Sequence, residues 1–376
     1  TVIGFLFYSF PVFWPYLISE LGMTESQLGM ITAFYFIPVA ILAIFVGRAL
    51  DKYSVKNFMM IGSIIYAIGL FSLSFINSYW SLVMIYLTIL ALGSIMMGNL
   101  AVAKLISNWF DKNAGRALGI AAIGISFSGV VLPLVVDPLL DLVGWRNVYV
   151  IFAAVVLFII LPLIFFVVID DPKTVNQVKD GIKRDIIEES LPQEMNSKDL
   201  LSKKVFWVIS LAFAFQFLSM MGVIAFLPIH ASKMGLNEIW NILGFPVKQY
   251  VFAYALAAFG GVLGKLIFGY LMDLMRAAYP SMIAMSLQAT GIFGFTYFSE
   301  PSIFFLSALI FGLGYGAATP LMTACYLRAF GSHNLGKARG ISSPIVAPLQ
   351  PIGILITSIL IGFQDTYFVA FNIMGC

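Results

Sequence analysis

A succession of long apolar runs, each closed by a polar turn, constrains this chain more than any other feature. The runs fall at about 1–20, 26–49, 56–76, 79–107, 114–136, 146–169, 204–230, 247–272, 278–298, 302–329, 339–362 and 366–376. All but the last approach the roughly 20 residues that a helix needs to cross a hydrocarbon core about 30 Å thick. The spacing predicts twelve transmembrane helices, the last one short, in an all-α integral membrane protein. Composition agrees: the chain is 61% hydrophobic and 10% charged, where a soluble protein carries about 25% charge. No cleavable signal peptide is visible, and Thr1 and Cys376 both lie in apolar runs, as though the ends were trimmed to an ordered region. Cys325 and Cys376 have no spacing partner, and His230 and His333 lie near loops. Neither a disulfide framework, a metal site nor any other cofactor is expected.

The polar stretch from Asp170 to Lys204 divides six runs from six. Its mixed charge and low hydrophobicity read as a flexible linker. The expected division is an N-terminal bundle at 1–169, a linker at 170–204 and a C-terminal bundle at 205–376. Threading the loops alternately puts seventeen of the 21 Lys and Arg on one side, the linker included. Arg146, Lys233 and Lys248 fall on the other side, and Lys265 stays in the membrane. The rich side is cytoplasmic by the positive-inside rule, so both termini are expected there, in a plasma (inner) membrane protein. An internal repeat supports the division. Gly47 to Asp51 (GRALD) is echoed by Gly269 to Asp273 (GYLMD) at an offset of 222. Phe110 to Ile120 is echoed by Phe330 to Ile341 at offsets of 220 and 221. Two loops repeating at nearly one offset imply two pseudo-symmetric halves. Such halves usually rock about a site near the midplane.

Lys265 is a cation deep inside an otherwise uncharged run, eight residues before Asp273. At about 1.5 Å per residue that is roughly 12 Å from the helix end, too deep for easy snorkelling. Burying a lone lysine there costs on the order of 2.5–3.5 kcal/mol. A partner carboxylate, water or an anionic ligand must offset that cost. Its helical face carries Tyr254, Ala258 and Gly261, two of them small, which leaves space above the ammonium. The expectation is that Lys265 receives the negative charge of a transported anion.

GRALDKYSVK (Gly47–Lys56), NWFDKNAGRALGI (Asn108–Ile120), GWR (Gly144–Arg146) and GKLIFGYLMD (Gly264–Asp273) together resemble the major facilitator superfamily. Ser54 stands where that family's loop usually has a glycine. Within the family, YSF then LG (Tyr8–Phe10, Leu21-Gly22), TAF (Thr32–Phe34) and GKLIFGYLMD resemble the branch of monocarboxylate transporters and oxalate:formate exchangers. The resemblance implies that Lys265 binds a substrate carboxylate, with lysine in place of the commoner arginine. A lysine is a point charge, so it reads carboxylate geometry less strictly than a guanidinium fork. Gly261 stands where proton-coupled members carry an aspartate. Segment 11, taken from Gly340 to Gly362, lacks the second cation of dicarboxylate exchangers, and GISFSGVVLP (Gly124–Pro133) lacks the glycine-proline arrangement of multidrug exporters. One cation matches one carboxylate, hence a monocarboxylate.

Other candidate substrate contacts are Tyr8, Tyr35 and Tyr315, whose phenols can hydrogen-bond a carboxylate or wall a pocket, and the intramembrane amides Asn99 and Gln216. For each, helix packing is the plainer explanation. Arg48, Asp51, Lys104 and Asp273 lie at helix ends near basic loops and read as gating charges.

The expectation is a secondary transporter for a small organic monocarboxylate, working by alternating access, exchanging a counter-anion or coupled to a proton. It would act as a monomer in the lipid bilayer, with no nucleic-acid partner. Exchange is favoured because no proton site is visible. A transporter for a sugar, peptide or amine is the first alternative; an amine site would want a buried Asp or Glu, and none is evident. A non-transporting receptor is the second. No catalytic set, metal cluster or phosphate loop points to an enzyme.

Overall fold

The computed structural model describes residues 4–50, 52–110, 114–175, 195–242, 244–364 and 367–376. Its helices follow the apolar runs. In chain order they are α1 (Phe10–Leu21), α2 (Glu25–Leu50), α3 (Val55–Leu73), α4 (Tyr79–Trp109), α5 (Ala114–Val143) and α6 (Trp145–Val167). They continue as α7 (Lys204–Ile224), α8 (Gln249–Leu274), α9 (Ala278–Tyr297), α10 (Pro301–Gly331), α11 (Lys337–Phe363) and α12 (Tyr367–Gly375). Among the described residues nine of these, α2 to α8 with α10 and α11, contain a stretch long and apolar enough to cross a membrane. α1 and α12 are shorter, and α9 dilutes its apolar run with Ser, Gln, Thr and Tyr. The result is an all-α membrane fold. Large apolar side chains point outward all along it, Phe158 and Phe166 each at 78% exposure. That surface is unsuited to water and suited to lipid.

Helix irregularities have local causes. α4 and α6 each contain a π-helical stretch, Tyr86–Leu90 and Val156–Ile160, and α4 breaks at Gly98, whose backbone is extended. α5 contains Pro133 and Pro138, each of which removes a backbone donor. The helical path from α10 towards α11 kinks at Gly331, where φ is 77°, a conformation that glycine adopts without a Cβ penalty.

The first run is broken at Tyr8–Ser9, between a short helix (Gly4–Phe7) and α1, and three further boundaries differ from expectation. The fifth run was expected to end at 136, but α5 continues to Val143 through Asp137 and Asp141. The seventh run ends as a helix at Ile224, and a separate short helix, Leu227–Lys233, follows with Pro228 in its first turn. The eighth was expected from 247. Val247 and Lys248 instead close an antiparallel hairpin of β1 (Ile239–Ile242) and β2 (Phe245–Lys248), with Ile239 opposite Lys248. Gly244 at φ 88° supplies the turn.

The chain divides into two compact units. One comprises residues 1–27 and 34–187, the other 28–33 and 188–376. In the first, α3 packs against α4 and α6. Its core contains Val46, Met59, Met96 and Ile164. In the second, α10 packs between α8 and α9, and α7 lies along α11. Phe206, Phe213, Phe268, Leu321 and Tyr326 anchor that core.

Candidate functional site

The α8–α10 crossing builds the site. Glycines on both helices let the backbones touch. A Cβ on Gly260 would lie 2.5 Å from the Leu309 carbonyl oxygen, and one on Gly264 would lie 2.3 Å from that of Leu313. From the other side, a Cβ on Gly312 would meet the Ala257 carbonyl at 2.2 Å, and one on Gly316 the Gly261 carbonyl at 2.1 Å. Any side chain at these positions would hold the helices apart. Small residues at such crossings are what van der Waals association between membrane helices requires.

Lys265 follows this seam directly. It is half-buried, and the face of α8 that bears it is closed by Tyr254 (1% exposed) and Ala258 (2%). One turn before it, Gly261 meets Tyr315. A Cβ there would lie 2.8 Å from the Tyr315 hydroxyl. The phenol therefore reaches across from α10 to the face of α8 on which Lys265 stands. The Tyr315 ring packs against Phe311, one turn earlier on α10, with ring centres 5.2 Å apart. Two of the expected substrate residues, Lys265 and Tyr315, are thus brought to one seam. An ammonium and a phenol O–H are both donors, and a membrane interior strengthens their attraction for an anion.

The remaining expected residues stand on other elements. Tyr8 is buried in the first unit with its ring against Gly129 of α5, where a Cβ would lie 2.8 Å from it. Tyr35 donates from its hydroxyl to Ser94 Oγ at 2.5 Å, tying α2 to α4. Asn99 is exposed, immediately after the break at Gly98. Gln216 turns towards α9 and α10: its Nε2 donates to the Gly314 backbone carbonyl at 3.3 Å, and its backbone carbonyl accepts from Gln288 Nε2 at 3.0 Å. Both glutamines line a cavity of about 270 Å³ with Ala212, Phe215 and Met285.

Of the expected gating charges, Arg48 is exposed and Lys104 half-buried. Asp51 and the Asp273 side chain lie outside the described residues. The charge that closes the end of α8 is one sequence reasoning did not single out, Arg328 of α10. It donates to the carbonyls of Met272 and, at 2.7 Å, Met275. A cation on the last carbonyls of a helix complements its macrodipole. In the first unit, Trp145 Nε1 and Arg146 Nη1 both donate to one oxygen of Glu20 at 2.8 Å. The tryptophan and arginine of the GWR motif thereby clamp the end of α1.

One expectation is corrected. The sequence shows no evident buried acid, yet Asp137 on α5 is 0% exposed. The sequence reading ended that run at 136 and so left Asp137 at the boundary. The signal was the Asp137–Asp141 spacing of four residues, which keeps both acids on one face of a continuing helix.

Residues 1–349 match the family described as the Major Facilitator Superfamily. The chain is 24% identical over 308 residues to a probable hexose phosphate transport protein of Chlamydia trachomatis, covering 72% of this chain and 62% of that one. It is 22% identical over 275 residues to a glycerol-3-phosphate transporter of Bacillus subtilis, covering 69% and 59%. The chain therefore spans less than two thirds of either relative. Its fold is that of a bacterial homologue of the human lysosomal transporter Spinster, solved inward-facing and unoccupied. The TM-score is 0.71 at 16% identity, over 96% of this chain and 80% of that one.

Proposed function

The chain belongs to the major facilitator superfamily, a family of transporters and not of enzymes, and from that premise we propose that it moves a small organic anion across the membrane. The observation that carries this reading is Lys265, a cation within the apolar α8 at a seam shared with the Tyr315 hydroxyl. An ammonium there is costly unless an anion or other partner offsets it, and a transported anion would supply that charge each time it binds. The relatives support the sign of the charge, because hexose phosphate and glycerol 3-phosphate are both anions. A single ammonium matches a monocarboxylate most simply. The relatives' names favour a phosphate ester as the second reading.

The test is uptake of labelled pyruvate, formate, glucose 6-phosphate and glycerol 3-phosphate into proteoliposomes, for wild type, Lys265→Ala and Lys265→Arg. We expect saturable uptake of one anion class, a fall of at least about a hundredfold in kcat/KM with alanine, and partial recovery with arginine. Uptake by the alanine variant equal to wild type would make Lys265 structural and bring neutral solutes forward.

A further inference from the structure

The β1–β2 hairpin, between the short helix Leu227–Lys233 and α8, has no role in the reading above. Its register sorts its side chains into two faces. Trp240 stands opposite Val247, and Ile242 opposite Phe245. Side chains alternate along a strand, so these four share one face. At the base of the hairpin that face meets protein. Val247 is 1% exposed. The Trp240 ring packs on Phe252 of α8 and Phe305 of α10, with ring centres 5.9 and 5.2 Å away, and those two rings lie 5.4 Å from each other. At the tip the same face loses its cover: Ile242 is half-buried, and Phe245 is 57% exposed.

The composition of that tip does not suit water. Turns in water favour Gly, Pro, Asn, Asp and Ser, whereas Ile242 to Val247 reads ILGFPV, without one polar side chain. The polar groups gather at the base instead. Gln249 donates from its backbone to the Glu238 carbonyl at 2.9 Å and from Nε2 to the Glu238 carboxylate at 3.1 Å, and the Tyr250 N–H donates to the Leu236 carbonyl at 2.9 Å. These bonds tie the hairpin to the start of α8, the end away from Arg328. The surface that the tip continues is the lipid-suited one: Phe252, Phe259 and Leu266 recur every seven residues along α8, and the last two are exposed. The hydrocarbon core itself is closed to the tip, because the outer edges of a two-stranded sheet keep backbone groups that need water. The headgroup–acyl boundary meets both demands. Glu238 and Lys248 bring one charge of each sign to the base, so no anionic headgroup is called for.

We infer that the β1–β2 hairpin is a membrane-interface anchor. Ile242 and Phe245 insert at the headgroup–acyl boundary of the leaflet beside the start of α8, with Trp240 at its rim. The partner is a zwitterionic phospholipid, met through its polar–apolar boundary and not through charge. The cluster of Trp240, Phe252 and Phe305 passes that anchorage to α8 and α10 together, the two helices of the Lys265 and Tyr315 seam. The inference rests on the membrane-spanning fold and is independent of which solute is moved.

The test uses the full chain in phosphatidylcholine vesicles. Cys325→Ser and Cys376→Ser remove the native thiols, and Phe245→Cys carries a bimane label. Phosphatidylcholine brominated near the head of its acyl chains should quench the label at least about twice as strongly as the same lipid brominated near the chain ends. Iodide on both sides of the membrane should quench it at least about fivefold less than a label at Lys198→Cys, an exposed position on the helix Ser197–Ser202. Exchanging phosphatidylcholine for phosphatidylglycerol should change neither result. Trp240 reports the same contact without a label. Its quenching by the shallow bromolipid, taken as the difference from the matching Trp240→Phe protein, should fall at least about twofold in Phe245→Asp, with thermal unfolding in detergent unchanged. Iodide quenching at the Lys198 level, with none from either bromolipid, places the tip in water and overturns the inference. A label reached by neither quencher is covered by protein, which overturns it as well. So does stronger quenching from the chain ends, quenching found only with phosphatidylglycerol, or a Trp240 signal that Phe245→Asp leaves unaltered.

Discussion

The Tyr315 hydroxyl lies in the space that a side chain at Gly261 would need, 2.8 Å from where its Cβ would be. This pairing joins α8 to α10 one turn from Lys265. It makes glycine at 261 a requirement for where the phenol is held, independent of any backbone conformation. Gly261→Ala should push the phenol away from the seam, because the far end of a tyrosine yields more easily than backbone. The expected result is a KM for the transported anion raised about three- to tenfold with thermal unfolding little changed. Tyr315→Phe should raise KM as well. In the double variant the two effects should be less than additive, since they act on one contact. Additive effects would show that Gly261 and Tyr315 act separately.

A second expectation concerns the seam itself. Gly316→Ala would place a methyl 2.1 Å from the Gly261 carbonyl, where only backbone can yield. Overpacking of this kind typically costs about 1–3 kcal/mol. Gly269 on the same α8 has nothing within 4 Å of its hypothetical Cβ. Gly269→Ala should therefore be neutral or stabilise by up to about 1 kcal/mol through helix propensity. Thermal unfolding in one detergent, run on both variants, separates them. Equal stability would mean that the helices do not approach as closely as described.

Arg328 offers a third. Its guanidinium covers the final carbonyls of α8, at Met272 and Met275. Arg328→Ala should destabilise the protein by about 0.5–1 kcal/mol, and Arg328→Lys by less, because lysine keeps the charge but not the fork. Hydrogen exchange should localise the change to amides near the end of α8. A loss spread evenly over α10 would instead point to a packing role.

How far the sequence carried these conclusions depended on the kind of physics involved. Span positions were legible because lipid admits few alternatives to an apolar helix, and α2, α7, α9 and α11 begin within about two residues of their runs. Lys265 stood out as a candidate because an isolated cation in such a run is expensive, and the structure places it within α8. Asp137 was misread for the converse reason: a charge near a run's end looks like the end, although its four-residue spacing from Asp141 fits a helix that continues. The β1–β2 hairpin was missed because four-residue strands are too short to show alternation. Tyr315 was legible as a polar group within a span, but its partner Gly261 was not. Closeness between two helices is a property of the crossing and not of either sequence alone. Arg328 belongs to the same class, since its partners are backbone carbonyls some fifty residues earlier.

The two buried glutamines give the last expectation. Gln288 Nε2 donates to the Gln216 backbone carbonyl, and Gln216 Nε2 to the Gly314 backbone carbonyl. The side-chain oxygens Oε1 of both are buried without a hydrogen-bond partner in the protein. Each glutamine thus gains one bond and carries one buried acceptor lacking a partner here. Intramembrane hydrogen bonds average only about 0.6 kcal/mol, and an unmet buried acceptor costs about 1–3 kcal/mol. Replacing Gln288 by methionine, similar in length and apolar, removes both terms at once. Gln288→Met should therefore be neutral or stabilising in thermal unfolding, against the usual direction for losing a buried hydrogen bond. Gln216→Met tests function as well as stability. Gln216 faces Gly314 and Gln288, whereas Lys265 follows the α8 face that meets Tyr315. Anion KM should therefore stay within about twofold of wild type. A larger rise in KM at unchanged stability would restore Gln216 to the substrate path. A clear loss of stability in Gln288→Met would show that water in the 270 Å³ cavity already satisfies the two oxygens.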